Sequence, residues 1–375
     1  MNLFDLESTQ FRFPNDKKIR IFTTFSGIGC QEMALSRITK NYEVLGFAEI
    51  DNSAIKSYLA IHGNIKNYGD ICKIKGNELP NEIDILTYSF PCTDLSKAGK
   101  QKGLSSGTRS GLVFEVLRLL KELKEEKNLP KVLIMENVPD LLSPKFKSGW
   151  HTIYNEIEAM GYKNYVSILN AKDYGIPQNR KRVFMVSILG DYSYEFPNKI
   201  DLKIKLKDLL EKEVPNKYWL SQKEIDDEYI PTLTATGEAR RNSSMILIKQ
   251  TPKKDVMPCL TTKAKYGVVI PSKTKKGYEI AEDGDGVYIN RPYQKRGTVQ
   301  KSMIPTLKTS CADIGIVDGY RIRKITPLEC WRLMGILDED FHKAKNAGVS
   351  NSQLFKQAGN GIVVNVMEAI LKQLF

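Results

Sequence analysis

Short apolar runs alternate with amphipathic segments over the first half of the chain. Turns containing Gly, Pro, Asn or Asp bound the runs, which is typical of strands, and the segments between them are typical of helices. This alternation predicts an α/β fold, with a mostly parallel sheet and helices on both of its faces. The predicted strands are Ile19–Phe25, Glu43–Ile50, Ile83–Phe90, Val132–Met135, Tyr165–Leu169 and Val183–Ile188, and the predicted helices are Glu32–Ile38, Asn52–His62, Leu112–Glu125 and Asn365–Leu374.

The texture of the chain changes after Gly190. Lys-rich segments broken by Pro and Gly carry short β-branched runs, which predicts a smaller, irregular, strand-rich domain. One phrase recurs there, at Ile230–Thr234, Met257–Thr261 and Ile304–Lys308, and it indicates a repeated turn and strand whose third copy also touches a ligand. The predicted division is a first domain at 1–190, a smaller domain at 191–350, and a C-terminal segment at 351–375 whose helix packs back on the first domain.

Composition narrows the class of protein. The 375 residues are 41% hydrophobic, enough for a large core and a second domain, and the formal net charge of +12 favours a polyanionic partner such as nucleic acid. An ordinary basic protein would have the same charge. The six cysteines form no C-x-x-C pair and no zinc pattern, which fits a reduced bacterial cytoplasm. No leader and no uncharged apolar run of membrane-spanning length is evident, so we expect a soluble protein without membrane contact.

A nucleotide-like ligand is indicated where the first predicted strand enters the first helix. Phe25-Ser-Gly-Ile-Gly29 provides a close backbone approach, and Glu49 and Asp70 are placed to accept hydrogen bonds from ribose hydroxyls and an exocyclic amine. Each feature alone is more often a tight turn or a helix cap. The chain lacks both G-x-x-x-x-G-K-[ST] and a complete G-x-G-x-x-G, so an adenosyl group without pyrophosphate, such as S-adenosylmethionine, fits best.

Further short blocks follow in order along the chain. They are Pro91-Cys92, Gly99–Gly103, Glu136–Val138, Asn170–Pro177, Gln178–Arg182, Arg323–Gly335 and Gly359-Asn360. Together with Phe25–Gly29 they resemble the DNA (cytosine-5) methyltransferases of bacterial restriction-modification systems, over nearly the whole chain except its first residues and much of the small domain. The resemblance implies the Rossmann-like sheet of an S-adenosylmethionine-dependent methyltransferase, which forms a catalytic and cofactor-binding domain. It also implies that the smaller, irregular, strand-rich domain is a target-recognition domain.

The expected chemistry follows from the weakness of cytosine C5 as a nucleophile. A thiolate must first add to C6, and Cys92 supplies it on this interpretation, while Glu136 meets N3 and relieves the charge that builds on the ring. Arg180 and Arg182 hold O2 or the adjacent phosphate, with their individual tasks left open. Taken singly, the cysteine could be a small buried hydrophobe, the glutamate a helix cap and the arginines partners of surface acids.

The resemblance also assigns cofactor contacts, position by position. Phe25 packs on the cofactor, Glu49 binds its ribose, and Asp70 binds its adenine amine. Pro91, Leu112 and Asn360 line its methionine end. The full assigned set is Phe25, Gly27, Gly29, Glu49, Ile50, Asp70, Ile71, Pro91, Leu112 and Asn360.

Double-stranded DNA is the expected partner, with the target base turned out of the helix. The polar stretch Leu95–Ser110 suits a loop that closes over this base, and Thr306-Leu307 matches the Thr-Leu pair that marks target recognition in the family. The basic residues are compatible with base reading or with phosphate contact. We expect a monomer, and the sequence leaves open whether a restriction endonuclease of the same system accompanies it, with no direct contact implied. The residues assigned to DNA are Ser96, Lys97, Lys100, Arg291, Arg296, Thr306, Lys308 and Thr309.

Three positions depart from the family pattern: Cys30 replaces a common glycine, Thr93 a common glutamine and Gly361 a common serine. Two other functions remain open at this point. A transfer-RNA cytosine-5 methyltransferase would share the catalytic blocks, although the long Lys-rich insert before Arg323 favours DNA. A catalytically silent DNA-binding protein would not need Cys92, Glu136 and both arginines.

Overall fold

The computed structural model describes residues 9–91, 110–220, 268–274, 278–289, 298–311, 313–319 and 321–375. The helices are α1 Cys30–Ile38, α2 Asn52–His62, α3 Val113–Glu125, α4 Lys147–Ala159, α5 Pro327–Arg332, α6 Asp338–Asn346, α7 Asn351–Asn360 and α8 Val364–Lys372. The strands are β1 Ile19–Thr24, β2 Tyr42–Ala48, β3 Ile85–Tyr88, β4 Val132–Asn137, β5 Tyr162–Asn170, β6 Gln178–Asn179, β7 Lys181–Leu189, β8 Val268–Pro271, β9 Tyr278–Ala281, β10 Gly286–Tyr288, β11 Val299–Gln300, β12 Ile304–Pro305, β13 Ile314–Asp318 and β14 Arg321–Lys324. None of the described helices is long and apolar enough to cross a membrane.

The main sheet has six strands in the order β2-β1-β3-β4-β7-β5. β2, β1, β3 and β4 are parallel neighbours, whereas β7 runs antiparallel to both β4 and β5. The predicted α/β fold with a mostly parallel sheet is therefore confirmed. The carboxyl ends of the parallel strands meet at one edge, where ligands bind in open α/β sheets.

Both faces of this sheet are covered. On β4, Ile134 faces a core cluster that includes residues of α1, α5 and α8, and its neighbours Leu133 and Met135 face a second cluster that includes residues of α3 and α4. Side chains of a strand alternate between its faces, so a strand apolar at every position belongs in the middle of such a sandwich. All six residues of β4 are buried.

Local signals set the bounds of α2, which equal the predicted ones. The side chain of Asp51 accepts hydrogen bonds from the amides of Ser53 and Ala54, and so caps the first turn. The helix ends at Gly63, whose φ of 88° lies in the region that favours glycine. Other helices, among them α4 to α7, were not predicted, because their apolar positions are sparse and lie among turn-forming residues.

The smaller domain contains a four-stranded antiparallel sheet in the order β11-β10-β13-β14 and the hairpin β8-β9. The third copy of the recurring phrase forms β12, which pairs in parallel with β6 of the first domain. The other two copies lie outside the described residues. The predicted domain bounds stay a prediction, but Trp331, Phe341 and Val349 pack in the same cluster as Ile19 and Ile21. We therefore propose that the recognition domain ends before α5.

Asp84 stabilises the sheet at the edge opposite the carboxyl ends of the parallel strands. Its side chain is fully buried, with Oδ1 2.9 Å from Lys17 Nζ and 3.1 Å from Lys131 Nζ, and its Oδ2 accepts from the amide of Arg20 at 3.0 Å. Burial alone would raise the pKa of Asp84, but the hydrogen bonds from Lys17, the Arg20 amide and Lys131 outweigh it and lower the pKa. The charged carboxylate thus ties together the amino-terminal ends of β1, β3 and β4.

We predict that Asp84→Asn lowers the free energy of unfolding by about 2–4 kcal/mol at neutral pH, because two ammonium groups lose a buried counter-charge. Denaturant unfolding measures this directly. A carboxylate whose pKa is lowered by folding stabilises the folded state above its unfolded pKa, and this stabilisation is lost as pH falls through the folded pKa. The difference in free energy of unfolding between wild type and variant should therefore narrow below pH 3.8. Glu82→Gln, at an exposed partner of Arg20, is the control. Equal stability of Asp84→Asn and wild type at neutral pH would refute this role.

Candidate active site

A carboxylate and a guanidinium meet at the carboxyl end of β4. Glu136 is 7% exposed, and its Oε1 lies 3.0 Å from Nε of Arg182. The antiparallel register pairs Glu136 with Phe184 and Asn137 with Val183, so that β7 begins beside the end of β4. The ion pair is therefore a consequence of the reversed direction of β7.

The end of β3 is tied to the same place. Nδ2 of Asn137 donates to the carbonyl of Phe90 at 3.1 Å. Phe90 leads into Pro91, the last described residue before Cys92. The backbone that carries the predicted nucleophile thus leaves the sheet next to Glu136.

Burial raises the pKa of Glu136 above its usual range, against the opposing charges of Arg182 and Arg180. A carboxyl with a raised pKa keeps its proton to higher pH, which suits donation of a hydrogen bond to a ring nitrogen. Arg182 opposes this rise while it orients the carboxyl group. The pair combines a proton donor with a fixed cation.

Arg180 has different partners from Arg182. It is 3% exposed, and its guanidinium donates to the carbonyls of Leu307, Gly359 and Gly361 at 3.1, 3.0 and 2.8 Å. These hydrogen bonds connect the segment after β12 with the end of α7. The sequence predicted the same role for the two arginines, whereas the structure pairs Arg182 with Glu136 and directs Arg180 to backbone carbonyls.

The predicted cofactor loop between β1 and α1 has an unusual backbone. Phe25, Gly27 and Gly29 have φ of 52°, 57° and 81°. Glu49 stabilises the loop, since its Oε2 accepts from the Gly27 amide at 2.9 Å and its Oε1 accepts from the Ile50 amide at 2.8 Å. The loop and the predicted ribose-binding acid are thus in direct contact.

The two glycines of this loop, Gly27 and Gly29, differ in how much room there is for a side chain. A Cβ added to Gly27 would meet nothing within 4 Å, whereas one on Gly29 would lie 2.2 Å from Nε2 of His62. Ile50 beside the loop is 67% exposed, so the described residues leave most of this apolar side chain uncovered. An open backbone next to an exposed apolar side chain and a carboxylate fits the sugar and base of a nucleoside.

The remaining predicted cofactor residues differ in their surroundings. Oδ1 of Asp70 accepts from the Cys72 amide at 3.0 Å, whereas Ile71 is 4% exposed and packs in the second core cluster. Leu112 precedes α3 and is partly buried against that cluster, and exposed Asn360 ends α7. The burial of Ile71 leaves its backbone rather than its side chain for any ligand contact.

A buried acid beneath the loop was missed in the sequence. Glu32 is fully buried, and its Oε1 accepts from Thr23 Oγ1 and Tyr58 OH, each at 2.7 Å. Burial, and then the charge of Glu32, raises the pKa of Tyr58. His62, one turn after Tyr58 on α2, donates from Nε2 to the carbonyl of Ile28 at 3.0 Å. The spacing of Tyr58 and His62 by four residues was the available signal that one helix face supports the loop.

Among the residues predicted to bind DNA, the structure describes three. Oγ1 of Thr306 donates to the carbonyl of Asn179 at 2.7 Å, Lys308 forms an ion pair with Asp313 at 2.6 Å, and Thr309 is exposed. Lys308 is therefore already neutralised within the protein, and Thr309 is the more accessible side chain. Cys92, Ser96, Lys97, Lys100, Arg291 and Arg296 lie outside the described residues, as does nearly all of the predicted closing loop. Within the described part, no group of His, Cys, Asp or Glu could hold a metal ion.

Comparison with known proteins decides the family. Residues 19–375 match the profile of the C-5 cytosine-specific DNA methylases. The chain belongs to this family. It is a DNA methyltransferase that acts on C5 of cytosine, as the order of its blocks predicted.

Curated relatives extend over almost the whole chain. The type II methyltransferase M2.ScrFI of Lactococcus lactis subsp. cremoris is 32% identical over 413 aligned positions, which cover 95% of this chain and 99% of that protein. The orphan methyltransferase M.SPRI of Bacillus phage SPR is also 32% identical, with 95% and 97% covered. Both relatives are methyltransferases by name.

Solved structures support the fold. Dnmt2 of S. pombe superposes with a TM-score of 0.61 at 16% identity, covering 95% of this chain and 98% of that one. The Entamoeba histolytica methyltransferase EhMeth gives a TM-score of 0.60 at 17% identity, covering 96% and 98%. At these identities the likeness concerns architecture alone.

Two departures of this methyltransferase from the family pattern lie against each other. A Cβ added to Gly361 would lie 3.3 Å from Sγ of Cys30, so the larger residue at one position faces the smaller at the other. Burial raises the pKa of Cys30 to about 12, which keeps it a neutral thiol. The exchange conserves packed volume and removes no charged group from the site.

We predict that two glycine substitutions in the loop separate its functions. Gly27→Ala has room for its methyl group, so it should lower stability only by the cost of a left-handed backbone at φ 57°, about 1–2 kcal/mol, and weaken binding of S-adenosylhomocysteine, measured by calorimetry. Gly29→Ala also has a positive φ and in addition collides with His62, so it should lower thermal stability further. Unchanged affinity in folded Gly27→Ala would place the ligand elsewhere.

Proposed function

We propose that this methyltransferase takes its methyl group from S-adenosylmethionine and modifies cytosine within one short sequence of double-stranded DNA. The observation that carries the proposal is the Glu136–Arg182 pair, held at the carboxyl end of β4 beside the backbone that leads to Cys92. It supplies an acid and a fixed cation where a pyrimidine can meet a thiolate. The similarity to a type II methyltransferase supports a sequence-specific target.

The residues of the loop fit an adenosyl cofactor. Glu49 offers carboxylate oxygens to ribose hydroxyls, Ile50 offers an apolar face to adenine, and Gly27 leaves the backbone open to approach. Asp70 accepts from the adenine amine, and Phe25, Gly29 and Asn360 complete the predicted pocket with Pro91 and Leu112. When bound, S-adenosylmethionine supplies an electrophilic methyl group.

Side chains of the protein carry out the steps of the reaction other than the supply of the methyl group. The Cys92 thiolate forms a bond to C6 of the flipped cytosine, and the electron pair of the C5–C6 double bond moves toward the ring nitrogen N3. Glu136 donates its proton to N3, so that the adduct is a neutral enamine with a nucleophilic C5. After C5 is methylated, N3 returns its proton to Glu136, the C5 proton is lost to solvent, and breakage of the S–C6 bond restores the C5–C6 double bond and the thiolate.

Arg182 orients this chemistry. Its Nε holds Oε1 of Glu136, which fixes the direction of the carboxyl group, and a planar guanidinium provides further donors that suit cytosine O2. Removal of the positive charge would raise the pKa of Glu136 further and leave its carboxyl group unoriented. We therefore assign the base contact to Arg182 and not to Arg180.

DNA contacts are proposed for two regions. The segment Thr306–Thr309 follows β12 at the junction of the two domains, where exposed Thr309 can reach a groove. Ser96, Lys97, Lys100, Arg291 and Arg296 are proposed to contact phosphates or bases. As an enzyme of DNA, the protein would act as a monomer in the bacterial cytoplasm, and an endonuclease of the same system would share its target without contact.

We predict that Cys92→Ser abolishes methyl transfer and leaves S-adenosylhomocysteine affinity within about twofold, because only the attacking atom changes. Wild type should form a covalent adduct with duplex DNA carrying 5-fluorocytosine, since fluorine blocks the final proton loss. Denaturing gels detect the adduct. Cys72→Ser, at an exposed cysteine, is the matched control. Substantial turnover by Cys92→Ser would eliminate this residue as nucleophile.

We predict that Glu136→Gln lowers the single-turnover rate by about 10²–10⁴-fold, because an amide cannot transfer a proton to N3. In wild type, protonated Glu136 is the active form, so the rate should fall as pH rises through the raised pKa, and Glu136→Gln should lack this alkaline limb. Rapid-quench kinetics across pH measure both effects. Glu126→Gln at the exposed end of α3 is the control. An unaltered pH profile in Glu136→Gln would exclude it as the acid.

A further inference from the structure

Arg180 lies where three parts of the fold converge. Residues 304–309, here called the recognition segment, and residues 359–361, called the cofactor segment, both contact the start of β7. The carbonyls that Arg180 binds belong to Leu307, Gly359 and Gly361, which are 127, 179 and 181 positions away in sequence. A single buried guanidinium therefore joins the two segments to the strand that carries Arg182.

The two segments also touch each other directly. A Cβ added to Gly359 would lie 2.5 Å from the carbonyl carbon of Lys308 and 2.6 Å from the amide nitrogen of Thr309. Only a glycine allows this approach of one backbone to the other. A displacement of the recognition segment by even a fraction of an ångström would thus displace the cofactor segment as well.

Gln178 holds the same junction from the other side. Its Oε1 accepts from the amide of Leu307 at 3.2 Å, and its Nε2 donates to the carbonyl of Leu333 at 2.7 Å. β6 and β12 pair in parallel immediately before this point. The recognition segment is consequently bound to the first domain by the backbone pairing of β12 with β6 and by the side chains of Gln178 and of the charged Arg180.

We propose that Arg180 is a positioning residue that couples target recognition to the cofactor site. When DNA fixes the recognition segment, the hydrogen bonds of Arg180 fix the cofactor segment that carries Asn360. The inference rests on the proposed function, namely on DNA at Thr306–Thr309 and on the cofactor at Asn360. Arginine suits the task because its rigid, permanently charged fork directs several donors at once, whereas lysine offers a single ammonium group.

Coupling of this kind is reciprocal and measurable. If DNA and cofactor each favour the same arrangement of the junction, each raises the affinity for the other by the same factor, which is typically about 5–150-fold. A residue that merely supports the fold would change stability or both affinities without changing that factor. The coupling factor is therefore the readout that distinguishes the two roles.

The test measures calorimetric affinity of the full chain for S-adenosylhomocysteine, with and without a duplex carrying the sequence that wild type methylates. We expect the duplex to raise affinity at least about fivefold in wild type and less than about twofold in Arg180→Lys. Gly359→Ala should show the same loss, since its methyl group separates the two segments. Arg20→Lys is the matched control, because Arg20 pairs with Glu82 beside Asp84, at the edge of the sheet opposite the junction.

The outcomes separate the two proposals. Wild-type coupling that survives in both Arg180→Lys and Gly359→Ala would overturn the positioning role, as would an absence of coupling in wild type that binds both ligands. If Arg180→Lys does not fold, Gly359→Ala decides alone. Failure of wild type to bind S-adenosylhomocysteine at all would instead refute the proposed function.

Discussion

The site depends on one feature of the sheet, the antiparallel insertion of β7 between β4 and β5. If β7 were parallel, its first residues would lie at the opposite edge of the sheet. Because it is reversed, Arg182 at its beginning meets Glu136 at the end of β4, 3.0 Å apart. The strand then continues through the core, which fixes the position of the pair. The reversal thus places Glu136, whose pKa is raised, next to Arg182, the cation that orients it.

The same reversal explains why neighbouring residues of one block have different tasks. Gln178 and Arg180 precede β7 and face the junction with the recognition domain, whereas Arg182 lies within the strand and faces the glutamate. The block Arg323–Gly335 has a structural role. Arg323 and Glu329 form a fully buried ion pair that joins β14 to α5. A motif therefore marks where family members are alike, and contacts decide what each residue does.

The sequence predicted much of the fold, because its signals were local. Strand β4 and helix α2 could be predicted from an apolar run and from a cap with a terminal glycine. Contacts between distant residues could not be predicted in this way. The pairing of Lys308 with Asp313 and the burial of the Ile71 side chain are examples, and both residues stay predicted contacts. The buried acid Glu32 belongs to the same class, since its partners come from β1 and α2.

Bisulfite sequencing of plasmid DNA from a methylation-free host that expresses this chain tests the central claim most directly. Bisulfite converts cytosine but spares 5-methylcytosine, so it reports both the modified atom and its sequence context. Cytosines protected at one position of one short motif, and absent with an empty vector, are the predicted result. Complete conversion at every cytosine, in cells that contain folded protein, would contradict the assignment of this site to methylation of DNA at C5.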